Sequence, residues 1–250
     1  MKILAITQAR ISSSRLPGKS MKLINGEPML YYHLNQLFES KLIDEIVVAT
    51  SLNKSDDKIV NYCKKKKINF FRGSLKDVLS RYYYCAKKFN ADLIVRITSD
   101  CPLIDPEIID FCIKKYLKKK VDYLSNTNPP DGATYPDGTD VEIFNFKNLE
   151  YAFLKCKNKN FREHVTFYFW KNPIKFKILR LDLKKNLRKY RITVDYKEDF
   201  LLIDHILTYF KKNNIKLRLK NIISFLNKKK YINRINEMHN KDLVNLNEKM

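Results

Sequence analysis

The sequence predicts an α/β fold: a mostly parallel, twisted sheet covered by helices on both faces. Three observations carry that expectation. Short apolar runs, too brief for helices, recur through the first hundred residues. Stretches with helix-starting signals alternate with them, as βαβ units require. The chain has 250 residues and 44% hydrophobic content, enough for one full core. Right-handed crossovers then place helices in two outer layers.

Taken in order, Ile3–Thr7 opens the chain as a buried strand. Pro28–Glu39 reads as a helix, with Gly26 in the preceding turn and Pro28 in the first turn, where a missing N–H costs nothing. Glu45–Thr50 is a second strand. Ser55 reads as the N-cap of the next helix, with Asp56 and Asp57 in its first turn. Asn69–Arg72 is a third strand, Asp77–Phe89 a helix capped by Asp77, and Leu93–Thr98 a fourth strand. Pro106–Leu117 is again helical, with Asp105 as its cap. Pro129, Pro130, Gly132, Pro136 and Gly138 predict a long functional loop over residues 126–138. Thr139–Phe144 alternates polar and apolar residues as a strand does. Helices follow at Lys147–Lys155 and Phe161–Trp170, strands at Lys175–Leu181 and Tyr190–Val194, and a helix at Glu198–Lys211. Past Lys216 the chain is rich in Lys and Asn, with peripheral helices and a frayed end expected. No repeat or linker divides the sequence. The expected organisation is one domain over residues 1–212, with a substrate-covering part around 126–180, and a Lys/Asn-rich helical extension or tail over 213–250.

Composition narrows the function classes. No apolar run approaches the length of a membrane span, and the N-terminus lacks the apolar core of a signal peptide. Five scattered cysteines without a C-x-x-C pair predict reduced thiols in a cytoplasmic protein rather than disulfides or a zinc site. The net charge of +22 invites a nucleic-acid partner. The lysine runs at 64–67, 118–120 and 228–230 are dispersed, with no aromatic interleaving for base stacking. Lys, Asn, Ile, Tyr and Phe, all abundant, share AT-rich codons. Compositional drift therefore explains the charge better than a nucleic-acid interface does.

The first strand runs into Ala9-Arg-Ile-Ser-Ser-Ser-Arg-Leu-Pro-Gly-Lys19. Ligands of open α/β sheets bind beyond the carboxyl ends of the strands. A loop there with Arg10, Arg15 and Lys19 suits a polyphosphate: two planar forks, one point charge, and backbone N–H groups around Ser12–Ser14 and Gly18. It is neither a P-loop, since Ser13 stands where the first glycine belongs, nor a G-x-G-x-x-G fingerprint. Asp100 lies just past the fourth strand and is a natural Mg²⁺ ligand, with Asp195, after Val194, as a second carboxylate. Gly73 and Ser74 follow the third strand, where Ser74 can bond a base or ribose, and Arg81 sits one turn into the next helix. Asp140, Glu142, Arg162 and His164 are polar groups flanked by hydrophobics and are candidates for a second substrate. Neither a nucleophile elbow nor an H-E-x-x-H motif is present, so hydrolase chemistry is disfavoured.

The opening loop, with Ile24-Asn-Gly-Glu-Pro-Met29, resembles the sugar-acid cytidylyltransferases, among them the 3-deoxy-manno-octulosonate and acylneuraminate enzymes. Arg72-Gly-Ser74, Asp77-Val-Leu-Ser-Arg-Tyr82, Thr98-Ser-Asp-Cys-Pro-Leu-Ile-Asp105, Pro136-Asp-Gly-Thr-Asp-Val-Glu142 and Arg162-Glu-His-Val-Thr166 resemble the spore-coat polysaccharide branch of that superfamily. The resemblance runs from residue 1 to about 210. It implies a Rossmann-like nucleotidyltransferase fold of the GT-A-like, three-layer kind. It implies that Arg10, Arg15 and Lys19 hold the triphosphate of CTP, with Ala9, Ser14, Arg72 and Ser74 also around the nucleotide. Arg15, Lys19 and Asp100 would be catalytic, Asp100 and Asp195 would hold Mg²⁺, and the anomeric hydroxyl of a sugar acid would displace pyrophosphate. Relatives of this kind often form homodimers. Asp140, Glu142, Arg162 and His164 carry over only as pocket candidates, because the branch's motifs do not fix its acceptor. Two rival expectations remain: a glycosyltransferase using a nucleotide sugar, which would normally carry Asp-x-Asp where Thr98 stands, and a non-catalytic basic binding protein.

Overall fold

The computed structural model describes residues 1–241; the end of the expected tail, 242–250, lies outside the described residues. The chain begins with β1 (Ile3–Gln8), then a small hairpin of β2 (Leu23–Ile24) and β3 (Glu27–Pro28), and α1 (Met29–Phe38). Next come β4 (Glu45–Ser51), α2 (Asp57–Lys66), β5 (Asn69–Gly73), α3 (Val78–Lys88), β6 (Leu93–Arg96), α4 (Pro106–Lys119) and β7 (Tyr123–Ser125). The second half adds β8 (Glu142–Asn145), α5 (Phe146–Lys155), α6 (Lys159–His164), α7 (Phe167–Trp170), β9 (Ile178–Arg180), α8 (Lys197–Lys212), α9 (Leu219–Lys228) and α10 (Lys230–Asn233).

Seven strands form one sheet in the order β5-β4-β1-β6-β8-β7-β9. Only β8 runs against the rest, so the sheet is mostly parallel as expected. Strand order reverses on either side of β1: β4 lies on one flank and β6 on the other. A crevice at such a switch point is where α/β sheets bind ligands. The alternation of β1 explains its two-sided burial. Ile3 and Ala5 pack with Leu30 and Leu34 of α1 and Ile109 and Ile113 of α4. Leu4 and Ile6 face the other way, with Leu79 and Tyr82 of α3 and Leu149 of α5. A third apolar cluster joins α8, α9 and α10 to Ile24, Met29, Ile192 and Val194. The extension after residue 212 is thus docked on the domain through Ile222, Leu226 and Ile232.

Four expectations are corrected. The 3₁₀ turn Lys54–Asp56 precedes α2, so Ser55 is not its cap. Asp56 is drawn elsewhere: fully buried, it accepts bonds from the Ile11 N–H, the Ser51 N–H and the Ser51 hydroxyl. The helix expected over Phe161–Trp170 is two short ones, α6 and α7, broken by a γ-turn at Val165 with φ 59° and a Thr166 N–H to His164 C=O bond of 2.6 Å. The strand expected over Lys175–Leu181 shortens to Ile178–Arg180. Tyr190–Val194 is not a strand but makes one isolated bridge, because Ile192 and Val194 give their N–H groups to the carbonyls of Asp137 and Asp100. Asp77 and Asp105 do cap α3 and α4. Residues 126–180 contribute β8 and β9 to the central sheet as well as the loop over residues 126–138. That loop meets residues 192–193 at Gly138, whose φ is +99° and where a Cβ would collide with the Ile192 and Thr193 backbone.

Candidate active site

The loops after β1 and β6 face each other across a cleft of about 320 Å³. Gln8, Ala9, Arg10, Ser13, Ser14, Arg15, Lys19 and Ser20 supply one wall; Arg96, Thr98, Ser99 and Asp100 supply another; Val78 and Arg81 of α3, Glu163 and His164 of α6, and Asp195 complete it. The β1 loop is shaped by its own backbone. Ile11 C=O accepts from the N–H groups of Ser13 and Gly18, and Asp56 anchors the Ile11 N–H at 2.7 Å. Gly18 takes φ 71°, which turns the chain into the 3₁₀ turn Lys19–Met21.

Lys19 is the pivot. Its ammonium donates to the Val194 carbonyl at 2.5 Å, to Asp195 Oδ1 at 2.9 Å and to Asp100 Oδ2 at 3.2 Å. An ammonium has three N–H bonds, so all three are committed within the protein. Arg15 Nη2 lies 2.8 Å from Asp195 Oδ2, and its guanidinium stands 5.2 Å from the Tyr196 ring centroid. Burial works against the Lys19 charge, but Asp100 and Asp195 outweigh it and raise its pKa. Burial likewise opposes the Asp100 charge; Lys19 and the Thr98 hydroxyl overcome it and hold the carboxyl at about 2. The residue after Asp100 is anchored as well. His33, fully buried, accepts the Thr7 hydroxyl at Nε2 (2.8 Å) and donates Nδ1–H to the Cys101 carbonyl (3.0 Å). Burial lowers His33 to about 4, so this strut is neutral.

Two carboxylates whose oxygens converge on one cation also fit a divalent ion of the Mg²⁺ type. Such an ion takes one or two carboxylates and fills its shell with phosphate oxygens and water. Asp100 and Asp195 are the residues that would hold it. Among the described residues, no cluster of three or more His, Cys, Asp or Glu offers an all-protein site.

The other expected site residues divide. Ala9, Arg10, Ser14, Arg15, Lys19, Asp100, Asp195 and His164 meet in the cleft. Arg72 does not line it: its guanidinium bonds the Ser51 and Asn53 carbonyls and Asp57. Ser74 accepts from the Asp77 N–H and turns its carbonyl to Arg81. Arg162 is spent on Asp77 and on the Phe153 and Cys156 carbonyls, tying α6 to the start of α3. Asp140 accepts from the Gly138 N–H within its own loop, and burial raises its pKa. Glu142, 1% exposed, receives four donors: Arg96, the Tyr123 hydroxyl, Asn128 and the Thr166 hydroxyl.

Sequence reasoning missed Arg96. It ends β6 opposite Glu142 in register, pairs with it, and still lines the cleft. Its signal was a charged residue inside an aliphatic strand, which is rarely buried without a partner. His164 stacks on Phe167 with centroids 4.3 Å apart, and burial lowers its pKa. The γ-turn at Val165 is what lets Glu163 and His164 line the cleft while Thr166 reaches back to Glu142.

The five cysteines are all buried and unpaired, and among the described residues no helix is long and apolar enough to cross a membrane. A family model described as "Cytidylyltransferase" matches residues 4–248. The chain is 40% identical over 238 residues to an uncharacterized protein of Methanocaldococcus jannaschii, covering 94% of this chain and 95% of that one. It is 31% identical over 205 residues to the spore coat polysaccharide biosynthesis protein SpsF of Bacillus subtilis, covering 79% and 83%. The solved structure of a cytidylyltransferase from Leptospira borgpetersenii superposes with a TM-score of 0.86 at 33% identity, covering 93% of this chain and 97% of that one.

Proposed function

The chain belongs to the cytidylyltransferase family and is a nucleotidyltransferase; from that premise we propose that it transfers CMP from CTP to a sugar or sugar acid, with release of pyrophosphate, for the synthesis of a surface polysaccharide or glycan. One observation carries the reading. The cations after β1 and the carboxylates across the cleft are in contact, through Lys19 to both Asp100 and Asp195.

The chemistry follows from what such transfer needs. An acceptor hydroxyl attacks the α-phosphorus in line as pyrophosphate leaves, so positioning and charge stabilisation matter more than covalent help. Arg10 and Arg15 offer planar forks to the phosphate tail, and the Ser13 and Ser14 region adds small donors beside them. Lys19 has no N–H to spare as it stands, so it serves the phosphates only by giving up a protein acceptor. Mg²⁺ held by Asp100 and Asp195 would supply neutralisation of the phosphate charge. The acceptor then enters on the side of Arg96, Glu163 and His164. Glu142, with four donors already, positions Arg96 there, and a guanidinium at that wall favours an acceptor that carries an anion.

The test is a pyrophosphate-release screen of each NTP with Mg²⁺ against sugar acids, neutral sugars and sugar phosphates. The expected result is release that requires CTP together with a sugar-type acceptor. Release of a nucleotide from a nucleotide sugar, with no pyrophosphate from CTP, would instead support a glycosyltransferase.

A further inference from the structure

The C-terminal extension has no counterpart in the motifs that led to the cleft, yet its residues Asn236 and His239 pack against the turn that carries Asp195. Asn236 is 2% exposed and donates Nδ2–H to the Arg191 carbonyl at 3.0 Å and to Asp199 Oδ1 at 2.7 Å. Asp199, fully buried, is the hub of the turn that carries Asp195. It takes Arg191 Nε at 2.9 Å and Nη2 at 3.0 Å, the Asp195 N–H at 2.9 Å and the Tyr196 N–H at 3.0 Å. Arg191 reaches on to Asp137 at 2.6 Å and to Asp195 Oδ2 at 3.4 Å. Three residues later His239 stacks flat on Tyr196, centroids 3.8 Å apart at 4°, with Nε2 3.1 Å from Glu198. Tyr196 is the ring beside which the Arg15 guanidinium stands.

We propose that Asn236 and His239 are positioning residues for nucleotide binding: the extension clasps the 191–199 turn, Asn236 setting Asp195 through Asp199, and His239 setting Arg15 through Tyr196. Neither residue touches the cleft. Each acts one contact removed, on a carboxylate and a guanidinium that face the phosphate tail. This rests on the reading of the cleft as a CTP site. It assigns to the extension a share in substrate binding, where a bystander would only add core.

The experiment measures CTP affinity of the full chain by calorimetry, with and without Mg²⁺, for wild type, Asn236→Ala, His239→Ala and His239→Phe. The expected result is that Asn236→Ala and His239→Ala each weaken CTP binding about fivefold or more, while His239→Phe, which keeps a flat ring against Tyr196, stays within about twofold of wild type. A purely structural role would lower the unfolding midpoint and the folded fraction without moving the affinity of the folded molecules. Wild-type affinity in both alanine variants overturns the proposal, and so does a His239→Phe protein as weak as His239→Ala. Should Asn236→Ala fail to fold, the two His239 variants decide alone. If wild type binds CTP and the variants do not differ, the clasp fails and the cleft reading stands. If wild type binds no CTP, the cleft reading fails and the clasp falls with it.

Discussion

Replacing Lys19 by alanine removes a group that both cleft carboxylates share. Two separable losses follow. The first is in the folded state. Lys19 is the leading reason Asp100 sits at about 2 instead of the ordinary 3.8. At 1.36 kcal/mol per unit, that difference is about 2 kcal/mol of stability at neutral pH. A carboxylate with a depressed folded pKa contributes stability above its ordinary value and loses it as pH falls through the depressed one. Lys19 supplies the largest share of that lowering, so Lys19→Ala should be less stable near neutrality by on the order of 2 kcal/mol, with the gap to wild type closing as pH falls from about 3.8 to about 2. The second loss is in the transition state: Lys19 turns an N–H to the phosphates by giving up a protein acceptor, and one such contact is worth about 2.7–4 kcal/mol, or about 10²–10³ in rate. Urea unfolding across acid and neutral pH reads the first; pyrophosphate release at saturating CTP reads the second. A folded variant turning over within about threefold of wild type would refute the reasoning.

The remaining predictions test the walls of the cleft. Asp100→Ala should stay folded and lose about 10²–10³ in rate; turnover near wild type would remove Asp100 from the machinery. Arg96→Met leaves Glu142 buried without its cation, an imbalance that typically costs about 3–5 kcal/mol. Denaturant melts that match wild type would show that Tyr123, Asn128 and Thr166 suffice. His33 has a folded pKa lowered to about 4 from 6.5. Unfolding lets it gain a proton between those values, so wild type should lose about 3 kcal/mol as pH falls from about 6.5 through about 4. His33→Leu should flatten that slope, and an unchanged slope would show that other groups set it.

The strands around the switch point were legible because their apolar runs are short and bounded, and the cleft loop because its cations follow the first of them. What escaped the sequence depends on distant partners. Arg-Ile-Thr-Val at 191–194 has the β-branched look of a strand, but its N–H groups go to the carbonyls of Asp137 and Asp100, more than fifty residues away. Arg72 looks like a free cation near a nucleotide, and Arg162 like one near a second substrate. Their nearest carboxylates in space, Asp57 and Asp77, had already been read as helix-start acids, and each carboxylate now holds an arginine. Glu142 reads from the sequence as a substrate-pocket residue, yet a carboxylate with four donors is occupied with its own surroundings. Its partner Arg96 is the member of the pair that lines the cleft. Asp56 shows the opposite error: it was read as a local helix signal, yet it holds the loop after β1 in shape.

Gly138 joins two parts of the chain that meet without clearance. Any side chain there would have to wedge the proline-rich loop away from Ile192 and Thr193, two residues before Asp195. The loop over residues 126–138 and the turn bearing that aspartate are therefore in direct backbone contact. A displacement of one has no slack in which to be absorbed before it reaches the other.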